Sequence, residues 1–275
     1  MLIEIPDLKV RSPYLSIAIE EVLAEYYSKN KEFDGLLRFW LNPPTIVLGR
    51  TDKVMENVKT EILKDFFQNN NHKIYLVRRL SGGGTVYHSQ GNLNYTIMFN
   101  LNKYKELYSI KNSFNILLKF VINALEKQNI KSFHVGLSDL AIKTHDGYKK
   151  FSGNSQFRKY NILVHHGTLI LDNRVIEEIE NTLMHPPKEP EYRNGRKHKD
   201  FLTSLPKNFD ISLFYYCLLE EIKKHYNIQE SRFISRDEFN QMKHILIKKV
   251  KNVYKNPEWI LKGKYTYKEI ILENL

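Results

Sequence analysis

The sequence predicts an α+β fold, a mixed and largely antiparallel sheet flanked by helices. Segments with the 3.6-residue period of helices alternate with short apolar runs of strand character. Several of those runs come as hairpin-like pairs parted by Asn, Pro, Gly or Asp. A chain of 275 residues, 42% of them hydrophobic, also has the material to bury a sizeable core.

In order along the chain, Ser12 and Pro13 start a helix, with proline suited to its first turn. Leu15, Ala18, Ile19, Val22, Leu23 and Tyr26 then form one apolar stripe. Residues 36–41 and 45–49 read as strands separated by Asn42-Pro43-Pro44, and 59–69 as a short helix. Residues 74–79 and 91–100 read as strands, followed by a helix over 110–128 with Phe114, Leu117, Leu118, Val121 and Leu125 on one side. Strands at 139–144 and 150–156 flank a turn at Asp146-Gly147. The run 162–171 is apolar on both faces and reads as a central strand. Helices are expected at 174–183 and 211–226, then a lysine-rich amphipathic helix at 236–253, and a short strand or tail over 254–270. A Pro/Lys/Arg-rich loop at 185–199 is the clearest shift in composition.

Three polar segments stand out from this frame. Residues 78–94, RRLSGGGTVYHSQGNLN, follow the strand-like run at 74–77. Adjacent glycines let a backbone turn tightly and bring N–H groups to an anion, and arginine offers a charged fork for phosphate or carboxylate. No Gly-Lys-Ser/Thr follows, and the glycines are not spaced as in a dinucleotide fingerprint. On the glycines alone, a strand–turn–strand hairpin is the favoured reading. The second segment is KKFSGNSQ at 149–156, and the third is HHGT at 165–168, inside a strand.

Composition excludes other classes. A single cysteine excludes an intrachain disulfide framework and points to a reducing compartment. No apolar run approaches the ~20 residues of a membrane helix, and the start, MLIEIPDLKV, has no signal-peptide layout. A cytoplasmic protein without membrane attachment is expected. The charge, 42 basic minus 31 acidic or +11, reads first as a solvated surface and second as attraction for an acidic protein partner. Nucleic acid comes last, because no DNA- or RNA-binding signature is present. Basic residues gather at 193–199, RNGRKHK, either as a docking or phosphate-facing patch or as an exposed loop.

Taken in order, the three segments resemble the lipoate–protein ligases of the biotin/lipoyl ligase superfamily. That family carries an arginine-led SGGG running into Tyr/Phe-His and Gly-Asn, then a lysine before Ser-Gly, then a His-Gly-Thr strand. The matching positions lie at 78–92, 150–154 and 166–168, and PPTIVLGR at 43–50 fits the family's amino-terminal pattern. The resemblance covers roughly residues 10–205. It implies a catalytic domain with an acyl tunnel beside the sheet. ATP and Mg2+ would be cofactors and lipoate or octanoate the substrate. The partners would be acidic lipoyl domains of 2-oxoacid dehydrogenase E2 subunits or the glycine cleavage H protein.

By the same resemblance, Lys150 contacts the acyl carbonyl and the α-phosphate, and Arg79 serves the phosphates. Ser81, Gly82, Gly83 and Gly84 line the carboxyl end of the acyl-adenylate, and Val86, Tyr87 and His88 border adenine or ribose. His88 is open between core and catalytic roles, and Asn92 between capping a turn and holding substrate. Asp139 orders Mg2+ or the adenylate, with no other metal ligand assigned. Ser138 stands where relatives have asparagine, and Ser89 where they have aspartate. Ser152 and Gly153 follow the lysine. Arg158 either closes over the phosphates or makes a surface salt bridge. His166, Gly167 and Thr168 form a strand beside the tunnel.

The expectation is a single catalytic domain over 1–275, monomeric, with 228–275 a C-terminal extension or the remnant of an accessory domain. Family ligases often carry such a domain, and the chain runs only a short way past Trp259, so a separate accessory protein is an expected partner. The function expected is ATP-dependent lipoate–protein ligation. The alternative is transfer from preformed acyl-AMP or a carrier-bound acyl group. A cysteine-based route is disfavoured, because Cys217 sits on an apolar helix face with Leu213, Phe214 and Leu218.

Overall fold

The computed structural model describes residues 1–68 and 73–264. The elements are β1 (Leu2–Val10), α1 (Pro13–Tyr27), β2 (Gly35–Leu41), β3 (Thr45–Leu48), α2 (Val54–Asn57), α3 (Thr60–Gln68), β4 (Tyr75–Arg78), β5 (Val86–His88), β6 (Asn92–Asn100) and α4 (Ile110–Glu126). They continue with β7 (Phe133–Val135), β8 (Asp139–Thr144), β9 (Gly147–Lys159), β10 (Ile162–Ile170), α5 (Arg174–Thr182), α6 (His198–Phe201), α7 (Ile211–Tyr226), β11 (Ser231–Phe233), α8 (Arg236–Lys249) and α9 (Pro257–Lys262).

An eight-stranded sheet runs β11-β1-β2-β6-β10-β9-β8-β7. Its β11–β1 and β1–β2 pairs are parallel, and the remaining neighbours antiparallel. β10 is central, as its two-sided apolar pattern demands. One face of the sheet packs against α4 and α7 through Leu37, Phe39, Leu93, Phe99, Leu118 and Phe214. The other packs against α1 and a second sheet, β4-β3-β5, through Leu36, Trp40, Val47, Met98 and Ile170.

That second sheet corrects two expectations. The strands at 45–49 and 74–79 do not join the main sheet; they pair with each other in parallel. The glycine segment is not a hairpin turn between β4 and β6. It carries the chain from β4 across the end of β3 to β5 on the far side, so the loop is a crossover inside a three-stranded sheet.

Helix α1 also departs from the single stripe. It is buried from Ser16 to Ala24, Glu20 and Glu21 included, while Leu15 and Tyr26 are only half-buried. It lies between the main sheet, the small sheet and α8, so no side faces water. The two glutamates are accommodated because each has charged partners. Glu21 accepts from Lys249 Nζ (2.8 Å) and the Tyr254 hydroxyl (2.9 Å) and also pairs with Lys159.

The C-terminal part of the chain folds onto this core. β11 pairs with β1, and α8 packs on α1. The expected helix over 236–253 ends at Lys249 and passes into a π-helical turn, Val250–Tyr254, which aims Tyr254 at Glu21. The described part of the predicted terminal strand or tail is instead helix α9, started by Asn256-Pro257 and closed by Gly263; residues 265–270 of that expectation lie outside the described residues. Strand β1 was not anticipated, because Pro6 and the charges around it mask its alternation. No helix among the described residues is long and apolar enough to cross a membrane.

Candidate active site

A cavity of about 320 Å³ opens between the main sheet, the small sheet and the segment 184–202. Its inner walls are apolar, with Ile17, Trp40, Val47, Ile170, Ile179 and Leu183, and its rim is polar. Of the residues expected from sequence, Arg79, Gly83, Gly84, Val86, Tyr87, His88, Asn92, Asp139, Lys150, Ser152, Gly153, His166, Gly167 and Thr168 all line it. Ser81 and Gly82 sit just behind the wall. Arg158 does not reach the cavity: its guanidinium donates to Leu107 O (3.0 Å) and Ser113 Oγ (2.9 Å) beside α4. Neither expected alternative for it is met.

Lys150 owes its direction to a defect in the sheet. Asp139 pairs with Gly153 and Leu140 with Ser152, but Ala141 pairs with Lys150, so β9 carries one extra residue opposite β8. Plain alternation would set Lys150 and Ser152 on the same face, the one against α4. The bulge puts Phe151 into that core instead and turns Lys150 to the cavity face with Asp139 and Gly153. There Lys150 Nζ lies 2.8 Å from Asp139 Oδ1, with 24% of the lysine side chain exposed. Gly153 leaves the room: a Cβ on it would meet the ammonium nitrogen at 2.9 Å. Asp139 Oδ2 accepts from the Tyr192 hydroxyl at 2.9 Å, and burial, then the Asp139 charge, drives that phenol far above its ordinary pKa.

The glycine loop is shaped by buried arginines. Arg79 spends its guanidinium on the protein itself, donating to Val47 O (3.1 Å), Ser81 Oγ (2.9 Å), Gly82 O (2.7 Å) and Gly84 O (2.8 Å). Burial brings its pKa down only to about 10, so it stays charged at neutral pH. The arginine expected to serve phosphates thus curls the loop by drawing the Gly82 and Gly84 carbonyls onto itself. Gly83 sits at φ +80°, and a Cβ at Gly49 would overlap the Gly83 carbonyl. Among the described residues Arg78 pairs with no acidic side chain. It donates to Gly49 O (2.6 Å), Asp52 O (2.8 Å), Trp259 O (3.0 Å) and Ile260 O (2.9 Å), clasping α9 against the base of the loop.

A buried chain of polar contacts backs the loop. Ser81 Oγ lies 2.7 Å from His166 Nε2, and His166 Nδ1 donates to Glu20 Oε2 at 2.8 Å. Glu20 Oε1 accepts from Thr96 Oγ1 (2.6 Å), which accepts from Trp40 Nε1 (2.9 Å). Burial alone would raise the Glu20 pKa, but His166 and Arg38 outweigh it and hold the carboxyl below the usual range. Ser81 is fully used in this chain and does not face the cavity, so it is no nucleophile.

His88 is a neutral histidine. Burial, with Arg79 and His166 adding to it, pushes its pKa down to about 3. Its Nδ1 accepts from Asn42 Nδ2 (3.3 Å) and its Nε2 donates to Thr168 Oγ1 (3.1 Å). Asn92 Oδ1 accepts from the Ser89 N–H (2.7 Å), the capping role, while its Nδ2 is buried at the cavity without a partner.

The basic run at 193–199 divides: Asn194, Gly195, Lys197 and Lys199 are exposed, as a loop would have them, whereas Arg193 and His198 are buried. Arg193 is 4% exposed, and the guanidinium carbons of Arg193 and Arg196 lie 4.8 Å and 5.2 Å from the Phe201 ring centre. Arg193 and His198 help wall the cavity. Cys217 lies on α7, half-buried among apolar neighbours that raise its pKa, although Leu213 of its supposed apolar face is exposed. Among the described residues no three His, Cys, Asp or Glu side chains gather to hold a metal. Sequence reasoning missed Glu20, Asn42 and Tyr192. Glu20 left a faint signal, a charged pair inside the otherwise apolar IAIEEVLA; Tyr192 left none.

A family model, the lipoyl protein ligase A/B catalytic domain, matches residues 12–223. The chain is 30% identical over 171 residues to lipoate-protein ligase LplJ of Bacillus subtilis, covering 62% of this chain and 46% of that protein. It is 29% identical over 215 residues to lipoate-protein ligase A of Bdellovibrio bacteriovorus, covering 72% and 58%. The chain spans about half the length of the curated relatives it matches. Among solved structures, a bi-partite lipoate protein ligase of Thermoplasma acidophilum, described with its E2 lipoyl domain, gives a TM-score of 0.72 at 20% identity, over 96% of this chain and 98% of that one. A lipoate-protein ligase A bound with ATP gives 0.65 at 19% identity, over 95% and 100%. At these identities the likeness establishes a common fold.

Proposed function

Because the chain belongs to the lipoyl protein ligase A/B catalytic-domain family, we propose that it is a lipoate–protein ligase. In this reading it activates lipoate or octanoate with ATP as the acyl-adenylate and passes the acyl group to a lysine of a lipoyl domain. The observation that carries the reading is Lys150, turned by the β9 bulge onto the polar rim of an apolar cavity and facing the glycine loop.

The chemistry asks for that arrangement. A carboxylic acid is a poor acyl donor, and its mixed anhydride with AMP is a good one. Two anions must meet, the carboxylate and the α-phosphate, so the site must supply fixed positive charge where negative charge develops. Lys150 supplies it, in the same cavity that Gly83 and Gly84 line. The apolar walls suit an alkyl chain, at about 0.8 kcal/mol for each CH2 taken from water, and shelter the anhydride from hydrolysis. The partnerless Nδ2 of Asn92 offers a donor to a ligand without adding charge, and neutral His88 adds none either. Among the described residues, Asp139 is the one carboxylate paired with the lysine. Each Asp139 oxygen already has a donor, so a Mg2+ ion would be held chiefly by the phosphate oxygens, which that ion accepts, and would supply further charge neutralisation at the phosphates.

Intact-mass spectrometry of an apo lipoyl domain tests the reading, with Mg-ATP and lipoate in one reaction and synthetic lipoyl-AMP in the other. A mass gain in both is expected. A gain only from lipoyl-AMP would assign the chain the transfer step alone, with activation done by a partner. No gain in either would overturn the reading.

A further inference from the structure

Asp139 is buried and each of its oxygens has one donor, Lys150 Nζ at 2.8 Å on Oδ1 and the Tyr192 hydroxyl at 2.9 Å on Oδ2. The donors come from different places. Lys150 belongs to β9 of the sheet. Tyr192 belongs to a short turn, Glu191–Arg193, in the middle of the strap 184–202. One end of the strap is fixed by a bridge between Leu183 and Val58, the other by a bridge between Leu202 and Lys150 itself, where Thr203 N donates to Lys150 O at 2.9 Å. The Tyr192 ring rests on Phe201, centroids 5.2 Å apart, and its carbonyl accepts from Arg196 Nη2 at 2.8 Å.

In the proposed reaction Lys150 must turn toward an anion in the cavity and loosen its hold on Asp139. A buried carboxylate stripped of its partner is strongly unfavourable, so without a second donor Asp139 would pull the ammonium back. We propose that Tyr192 is a positioning residue: it keeps Asp139 satisfied while Lys150 serves the cavity, so the lysine works fully only when the strap is seated. This rests on the ligase reading and adds a coupling between strap and lysine.

Two measurements on Tyr192→Phe test it. The first does not need activity: reductive methylation of Lys150 with formaldehyde and cyanoborohydride, followed by peptide mass spectrometry. With Lys150 the sole donor to Asp139, its methylation slows several-fold in the variant. A rate equal to or above wild type, as a merely loosened strap would give, overturns the proposal. The second is single-turnover transfer from lipoyl-AMP to a lipoyl domain. The variant transfers about tenfold more slowly at saturation, the scale of one lost hydrogen bond to a charge, with little change in half-saturating lipoyl-AMP. In an Asp139→Asn background the same change has no further effect. Wild-type speed, a loss confined to half-saturation, or a loss that persists unchanged in that background overturns it. A wild-type protein that transfers nothing sinks the ligase reading instead and leaves the methylation rates to decide the role of Tyr192.

Discussion

The glycine loop at 79–85 and the strap at 184–202 face each other across one cavity, and they are held by different kinds of contact. The loop is tied from behind by Arg79, Ser81, His166 and Glu20, all buried. From below it is braced by Arg78 and by Trp259 Nε1, which donates to Arg78 O at 3.0 Å. The strap is tied largely at its surface: Glu189 reaches His185 (2.9 Å), the Gly195 N–H (2.7 Å) and Arg193 (3.3 Å). Buried polar contacts away from water are strong and costly to break, whereas exposed ion pairs contribute little. The loop is therefore a preformed wall, and the strap is a wall that can open.

The two walls meet at Lys150, and removing it tests both at once. Lys150→Ala should lower single-turnover acyl transfer about a thousandfold, the scale for losing one preorganised transition-state charge, with the melting temperature nearly unchanged. Near-normal transfer by the folded variant would take the lysine out of the mechanism.

The rigidity of the loop can be broken next. Gly49→Ala sets a methyl against the Gly83 carbonyl, backbone against backbone, and should cost about 2–3 kcal/mol by urea unfolding. Gly84→Ala, with nothing within 4 Å of the added carbon, should cost far less. Equal losses would mean that the packing behind the loop is not what fixes it.

A smaller and pH-dependent effect comes from Glu20. Its folded pKa is lowered, so its contribution is present above the ordinary glutamate value of about 4.3 and is lost as pH falls through the depressed value. Glu20→Gln keeps the shape and removes the charge. It should cost about 2 kcal/mol at neutral pH, as lost hydrogen bonds to a charge do. It should also flatten the fall in stability below about pH 4.3. A variant whose stability falls with acid as steeply as the wild type would remove Glu20 from the linkage.

The same contrast explains what could be read from the sequence. The loop was legible because its devices are local: adjacent glycines, two arginines and a strand in front. The helices were legible where one face met the core, as in α4. Lys150 was legible as a motif residue, but its direction depends on a bulge set by pairing with β8, which no property of KKFSGNSQ records. Glu20 serves the loop from 61 positions upstream, and a charged residue in a helix ordinarily reads as solvated. The strap was legible only in part, its exposed Asn194, Gly195, Lys197 and Lys199 but not its buried side. Its Pro, Lys, Arg and Gly suggest an open loop, but Phe201 gives the arginines a ring to stack on and Asp139 gives Tyr192 an acceptor. Neither contact leaves a periodic trace.

The last prediction sharpens the contrast from the strap's side. Glu189→Ala removes three contacts at once, to His185, Arg193 and the Gly195 N–H, the kind of loss that would unfold a buried network. The carboxylate is solvated, however, and its ties are short-range ones within the strap, so water can replace those to His185 and the Gly195 N–H, while buried Arg193 keeps Arg196 O and the Phe201 ring. The expected outcome is an unchanged melting temperature together with faster trypsin cleavage after Lys188, Arg196 and Lys197, read by peptide mass spectrometry. Such local opening without global unfolding would make the strap a separate low-stability unit beside a rigid loop. If Glu189→Ala instead lowers the melting temperature as much as Gly49→Ala does, the strap is part of the cooperative core. The two walls would then not differ in kind, and Tyr192 would sit on a fixed surface rather than one that seats and opens.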